Sequence, residues 1–403
     1  MYRLAHRARH ADHCRFLLTT ALLLAILWSP SGGAAAERPG FEAYGFIRLD
    51  MLAYDSHMNN NLVPMWVKNE HDGSVQADDD AFIITPRLTR VGIRFNGYAL
   101  SDNWKGDVGI EIDFQGFAEG SESRETPRMR LGYFRLHHQS LEILGGQHWD
   151  LISPLYPNVN LNGVHWNVGN TGDRRPQFRL TLSPKSGETA FSLAAAVGAF
   201  GAINMNDVDK DGVPDGHDAA FPMFQGRVGI VQPVGDAKFD IGFWGHYGRE
   251  RANVVPGVNA ASIYESWSAG SDVTIAVNKQ VTIFGEAWVG DNLSDIRGGV
   301  AQGTDAPEGA TIAAIGGWGE LDYTPTDRWT LLGGYSVDDP EDSDLIRTGQ
   351  RAKNHSIYGA VRHRPWGKPF QITVEYMHWM TDYTGFADAS VCNNVVLHMM
   401  YSF

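Results

Sequence analysis

"WKGDVGIEIDFQ", Trp104 to Gln115, is the stretch on which the reading of this chain turns. In an extended backbone Trp104, Gly106, Val108, Ile110, Ile112 and Phe114 share one face, and Lys105, Asp107, Gly109, Glu111, Asp113 and Gln115 the other. Successive side chains of a strand point to opposite faces, whereas a helix would scatter both sets around its axis, so period two over twelve residues predicts a strand. "PFQITVEY" sets Phe370, Ile372, Val374 and Tyr376 against Gln371, Thr373 and Glu375. "RRPQFRLTL" sets Pro176, Phe178, Leu180 and Leu182 against Arg175, Gln177, Arg179 and Thr181.

A soluble sandwich alternates in the same way, so the connections decide between architectures. Short polar turns stand at 101–103, 137–140, 183–188, 233–236, 278–280, 324–327 and 365–368. Long Gly-, Asp- and Asn-rich connections run near 55–81, 117–127, 148–173, 200–221, 248–260, 291–309, 339–353 and 381–391. Seven short turns alternating with eight long loops predict an all-β fold of sixteen antiparallel strands, closed as a transmembrane β-barrel with both chain ends on the short-turn side. Closure suits lipid because every backbone group must find a partner inside the protein. Two strands, near 189–199 and 222–232, are the weakest; "FSLAAAVGAF" also fits a short Ala-rich helix. Trp104, Tyr133, Trp329, Trp366, Phe370 and Trp379 stand at strand ends, where interfacial aromatic girdles belong. The chain finishes "NVVLHMMYSF", with Val395, Leu397, Met399, Tyr401 and Phe403 on one face, a pattern expected of a last strand that directs barrel insertion.

Before the first strand, a basic segment, the apolar run Phe16 to Trp28 and small residues ending at Ala36 form the pattern of a secretory signal peptide over residues 1–36. A run of thirteen residues falls short of the roughly 20 that a spanning helix needs. Removing that segment takes away four arginines and one aspartate, which moves the net charge from −14 to −17. Such acidity disfavours nucleic acid as a partner. Cys392 becomes the only thiol, so no internal disulfide staples residues 37–403.

Arginines repeat on the polar faces. Arg90 and Arg94 share a face opposite Val91, Ile93 and Phe95; Arg128 and Arg130 oppose Met129 and Leu131; Arg175 and Arg179 share theirs; Arg48 lies with Asp50. In a barrel these faces line the lumen, and a wall of guanidiniums favours anions. The same arginines can pair across strands with Asp50, Glu111 and Asp113 as structural ion pairs, and both readings can hold together. Segment 148–173 carries Trp149, Tyr156 and Trp166 with few charges, which suits a loop folded into the barrel; an interfacial or subunit-contact loop is the other reading.

"DVDKDGVPDGHD", Asp207 to Asp218, has nearly the register of a twelve-residue calcium loop. Asp207, Asp209 and Asp211 would fill its first carboxylate positions, Gly212 the turn, the Val213 carbonyl the seventh position, and Asp215 and Asp218 the ninth and twelfth. Asp stands where a bidentate Glu is usual, and the flanks carry Gly and Pro rather than amphipathic helices. Bound calcium or a plain solvated acidic loop both fit, and calcium would serve loop rigidity.

Together "YGFIRLDMLAYD" (44–55), "PRLTRVGIRF" (86–95), "PRMRLGYFRL" (127–136), "GGQHWDLISPLYPNVNLNG" (145–163) and "RRPQFRL" (174–180) resemble the DcaP-like outer-membrane porins. The likeness is a pattern of short blocks, strongest before residue 182. It implies a sixteen-stranded barrel in the bacterial outer membrane, a homotrimer, an inward third loop, and a preference for small anionic solutes such as dicarboxylates. Members can carry a helical N-terminal extension; here Glu37 to Gly40 alone separate the signal from the first strand. The expectation is therefore a passive porin and no enzyme. Two rivals are a barrel-embedded hydrolase using His57, Asp78 to Asp80 or His355, and a secreted calcium-dependent carbohydrate-binding β-protein.

Overall fold

A computed structural model describes residues 40–73, 79–116, 125–159 and 163–403; the signal segment 1–36 lies outside them. The strands are β1 (Gly40–Tyr54), β2 (Ala81–Thr85 continued as Arg90–Ala99), β3 (Lys105–Asp113), β4 (Arg128–His138), β5 (Leu141–Trp149), β6 (Arg174–Leu182), β7 (Thr189–Gly198) and β8 (Met223–Val234). Then come β9 (Ala237–Arg251), β10 (Ile263–Ala276), β11 (Val281–Asp291), β12 (Ala313–Thr326), β13 (Trp329–Pro340), β14 (Arg351–His363), β15 (Phe370–Tyr383) and β16 (Ser390–Ser402). Each pairs antiparallel with its neighbours in sequence, and β16 returns to β1 from Phe46↔Ser402 to Tyr54↔Asn394. The sheet is a closed sixteen-stranded barrel. Thr189–Gly198 and Met223–Val234 are strands paired with each other, so the Ala-rich segment is not helical.

The long connections are L1 (55–80), L2 (114–127), L3 (150–173), L4 (199–222), L5 (252–262), L6 (292–312), L7 (341–350) and L8 (384–389). All leave one rim. Outside, the alternation holds as read: Val108, Ile110, Phe178, Leu180, Val374 and Tyr376 are exposed, while Glu111, Asp113, Arg175, Gln177, Thr373 and Glu375 are buried on the lumen side. Burial is inverted relative to a soluble sheet because lipid, not water, meets the apolar face.

Two expectations about faces are corrected. Leu131 does not join Met129 outside: a bulge where β4 meets Glu111 and Ile112 inserts one residue, and Leu131 is buried with Arg130. An extra residue reverses the parity of everything beyond it. Trp379 belongs to no exterior girdle. It shares the parity of Thr373 and Glu375 and is fully buried in a cluster with Leu52, Tyr54, Met58, Val67, Val159 and Val168, so L1 and L3 pack inside the barrel against β14–β16. Tyr133 likewise points inward, edge-on to His148. Trp329 and Trp366 are exposed outside.

Candidate functional site

The lumen is shaped by L3. It leaves β5 after Trp149 and docks on the opposite wall: the Ser153 hydroxyl and Leu155 amide donate to Glu286, the Asn158 amide donates to Glu320 (3.1 Å), and Asn354 Nδ2 donates to the Asn167 carbonyl (2.7 Å). The Trp288 indole donates to the Gly169 carbonyl at 2.7 Å. Gly169 has φ +123°, and a Cβ there would overlap the Gly317 carbonyl oxygen and lie 2.9 Å from the Val337 nitrogen. Only glycine allows the loop this close to the wall. L3 thus contacts the β11–β14 side of the wall.

A cavity of about 180 Å³ lies along the other wall, lined by Arg48, Arg90, Arg130 and Arg174 together with Trp149, Tyr156 and Trp166. Trp149 and Tyr156 stack with centroids 5.9 Å apart, and the Arg174 guanidinium lies over Trp149 at 4.9 Å. Planar guanidiniums stack on aromatic faces without losing their hydrogen-bonding edges.

Behind these arginines stand their carboxylates. Arg130 bonds Glu111 (2.8 Å) and Asp113 (2.9 Å), Arg128 bonds Asp113 (2.7 Å), and Arg90 approaches Glu111 at 3.5 Å. Arg48 pairs with Asp50 (2.6 Å), and Arg174 and Arg297 with Asp173 (3.3 and 2.9 Å). Burial alone would raise the Asp173 carboxyl; the two guanidiniums hold it below its ordinary range. Six guanidiniums thus share four carboxylates, a net charge of +2. All four carboxylates are almost wholly buried. Arg48 Nη1 and Arg174 Nη1 make no hydrogen bond to the protein. Ion pairing and an arginine-faced cavity coexist, because the acids sit at the wall and the bases reach past them.

The other expected residues divide. Arg94 lies over the Tyr44 ring at 3.9 Å and near Glu42 (3.9 Å), towards the short-turn end of the same wall. Arg179 bonds Gln177 and the Trp149 carbonyl, outside the cavity lining. Arg175 corrects its expected place on the anion path: it is fully buried, bonding Asp150 (2.8 Å) and Asp295 (2.7 Å), and offers no surface to a solute. Arg174, its neighbour, takes that place. Parity with Pro176 and Phe178 would turn Arg174 outward, but at the junction with L3 the chain turns into the lumen. A basic doublet directly after an acidic loop end was the one available signal.

In L4, carboxylate oxygens of Asp207, Asp209 and Asp215 lie within 4.8 Å of one another, and so do those of Asp209, Asp211 and Asp218. The single ring expected over 207–218 is therefore two overlapping groups sharing Asp209. Val213 is exposed, its amide donating to Asp211 (2.8 Å). Burial pushes the Asp215 carboxyl up to about 7, opposed by the Val208 amide that donates to it. Of the rim histidines, His57 pairs with Asp79 (2.7 Å) and His355 with the Tyr335 hydroxyl (3.0 Å). Among the described residues no serine hydroxyl bonds either ring; Asp78 lies outside them.

A closed sixteen-stranded barrel, apolar towards lipid and narrowed by its third loop, is a porin-type barrel of the bacterial outer membrane. The exterior rules out the secreted carbohydrate-binding alternative. Among solved structures, the outer membrane channel DcaP of Acinetobacter baumannii superposes with a TM-score of 0.68, covering 93% of this chain and 100% of that one at 17% identity. Outer-membrane expressed OmpT of Vibrio cholerae gives 0.56 over 92% and 99% at 13% identity, and OprB of Pseudomonas putida 0.55 over 90% and 94% at 10% identity. This chain shares the barrel fold of these outer-membrane channels. A scan against protein-family models finds no match, and neither does a search of curated sequences.

Proposed function

We propose that this chain is exported by a signal segment over residues 1–36 and forms a passive, non-catalytic channel for small hydrophilic solutes, favouring anions such as dicarboxylates. One observation carries the reading: the cavity beside L3 is lined by Arg48, Arg90, Arg130 and Arg174, and none of their partners Asp50, Glu111, Asp113 and Asp173 is among its lining residues. The planar guanidiniums that line this cavity suit the two-oxygen geometry of a carboxylate. A dicarboxylate can engage two such groups at once. A homotrimer is the assembly we infer, supported by the fold and by the "trimer form" of Vibrio cholerae OmpT, a protein of like fold.

The test is conductance of the purified protein in planar bilayers, with the zero-current potential read in a salt gradient and succinate added as competitor. An anion-side potential and succinate block of chloride current are expected. A cation-selective pore would overturn the anion preference, and the absence of any conductance would overturn the channel reading itself.

A further inference from the structure

L4 holds a feature that solute passage does not use. Asp207, Asp209 and Asp215 bring three carboxylate oxygens within 4.8 Å of one another at the external rim. Mutual repulsion makes such a group costly unless a cation offsets it. Acidic clusters on a loop are common, and the proximity alone decides nothing. Asp215 adds the second observation. It is fully buried; its Oδ2 accepts from the Val208 amide (3.0 Å), and its Oδ1 has no partner. A buried, unpaired carboxylate oxygen is expensive unless something absent from the protein atoms satisfies it. The backbone fixes where that oxygen sits: Gly216 packs against Gly201, where a Cβ would lie 2.6 Å from the Gly201 Cα.

We propose that Asp207, Asp209 and Asp215 hold one divalent cation of the calcium class, and that this ion clamps L4 to L5. Hard carboxylate oxygens without nitrogen or sulfur suit calcium, whose oxygen ligands lie about 2.3–2.6 Å away. Two oxygens on opposite sides of one ion are then about 5 Å apart, the span of this group. Asp209 is the joint: its Oδ2 also accepts from the Asn253 amide of L5 at 2.6 Å. The start of L4 is held independently, since Asp295 of L6 accepts from the Gly201 (2.9 Å) and Ile203 (2.8 Å) amides while pairing with Arg175. The ion would complete a span already anchored at one end. Asp211 and Asp218 belong to the neighbouring group, none of whose members is buried, so the ligand set is smaller than the twelve-residue register suggests.

The test uses the full-length barrel in detergent, stripped with a chelator, desalted and titrated calorimetrically with calcium chloride alone. One saturable site per chain is expected. Asp215→Asn and Asp207→Asn should each weaken it roughly tenfold or more, and Asp218→Asn by less than about twofold, following ligand charge. Heat-modifiable migration in gels checks that each variant keeps its barrel. Lys210, exposed within the loop, supplies a second readout by tryptic cleavage. Chelation should speed that cleavage in the wild type and change nothing in Asp215→Asn. No saturable calcium binding, wild-type affinity in folded Asp215→Asn, or cleavage at Lys210 indifferent to chelator would each overturn the proposal.

Discussion

Replacing Arg90 and Arg174 with Gln should turn an anion-preferring pore into a nearly unselective one. Removing these two leaves no carboxylate alone: Glu111 keeps Arg130 and Asp173 keeps Arg297. A cavity of about 180 Å³ has an equivalent radius of about 3.5 Å, which puts the guanidinium carbons about 6 Å from its centre once wall atoms are added. In a water-like dielectric each charge then acts on a monovalent ion with about 0.7 kcal/mol, and screening over a Debye length of about 8 Å reduces this to about 0.3 kcal/mol. The net charge of +2 enriches an anion about threefold and depletes a cation equally, a preference of about ninefold. In a tenfold salt gradient that corresponds to about 40 mV on the anion side, out of about 59 mV for perfect selectivity. The double variant leaves four guanidiniums facing four carboxylates, and the potential should fall to near zero. The assay is the zero-current potential of single channels in planar bilayers, with heat-modifiable migration confirming the fold. An unchanged potential in the folded variant, or a wild-type pore reversing on the cation side, would refute the reasoning.

Arg175→Ala should destabilise the barrel by about 3–5 kcal/mol, because Asp150 and Asp295 would be left as buried charges without their partner; the unfolding temperature read by gel mobility would drop, and an unchanged one would contradict the assignment. In Gly169→Ala, the added methyl would meet the Gly317 and Val337 backbone and impose about 1–3 kcal/mol of strain, loosening L3 and raising single-channel conductance. Wild-type conductance in a folded Gly169→Ala channel would mean that L3 does not set the constriction. Phe403 and Gly45 exchange both backbone hydrogen bonds (3.2 and 3.1 Å) at the seam between β16 and β1, so deleting Phe403 should lower assembled barrel in the outer membrane roughly tenfold. Undiminished assembly, measured by heat-modifiable protein in membrane fractions, would set that expectation aside.

Alternation and connection length were enough to read sixteen strands, the lipid face and the rim that bears the loops, because both are local properties of the chain. Val108, Ile110, Phe178 and Val374 lie outside as their spacing requires. Even the Ala-rich stretch obeys the same logic: Ala190–Gly198 pairs residue for residue with Met223–Val231. Leu131 departs because a one-residue bulge reverses parity, and no pattern of apolar residues marks where a bulge will fall. Trp379 was misplaced for a different reason. Its parity was legible, but its position near a strand end suggested the membrane interface rather than the lumen.

The constriction itself could not be read from spacing. Arg48, Arg90, Arg94, Arg130, Arg175 and Arg179 were legible as residues of the polar face, and that is all that period two can supply. Which of them meets a solute depends on where L3 lies, and L3 is held by Glu286, Glu320 and Asn354, partners 131 to 187 residues away in sequence. The same crossing turns Arg174 inward over Trp149 and closes Arg175 between Asp150 and Asp295. Adjacent arginines of like chemistry thus take different tasks. Alternation is set by the backbone of one strand, whereas access to the lumen is set by contacts across the whole barrel.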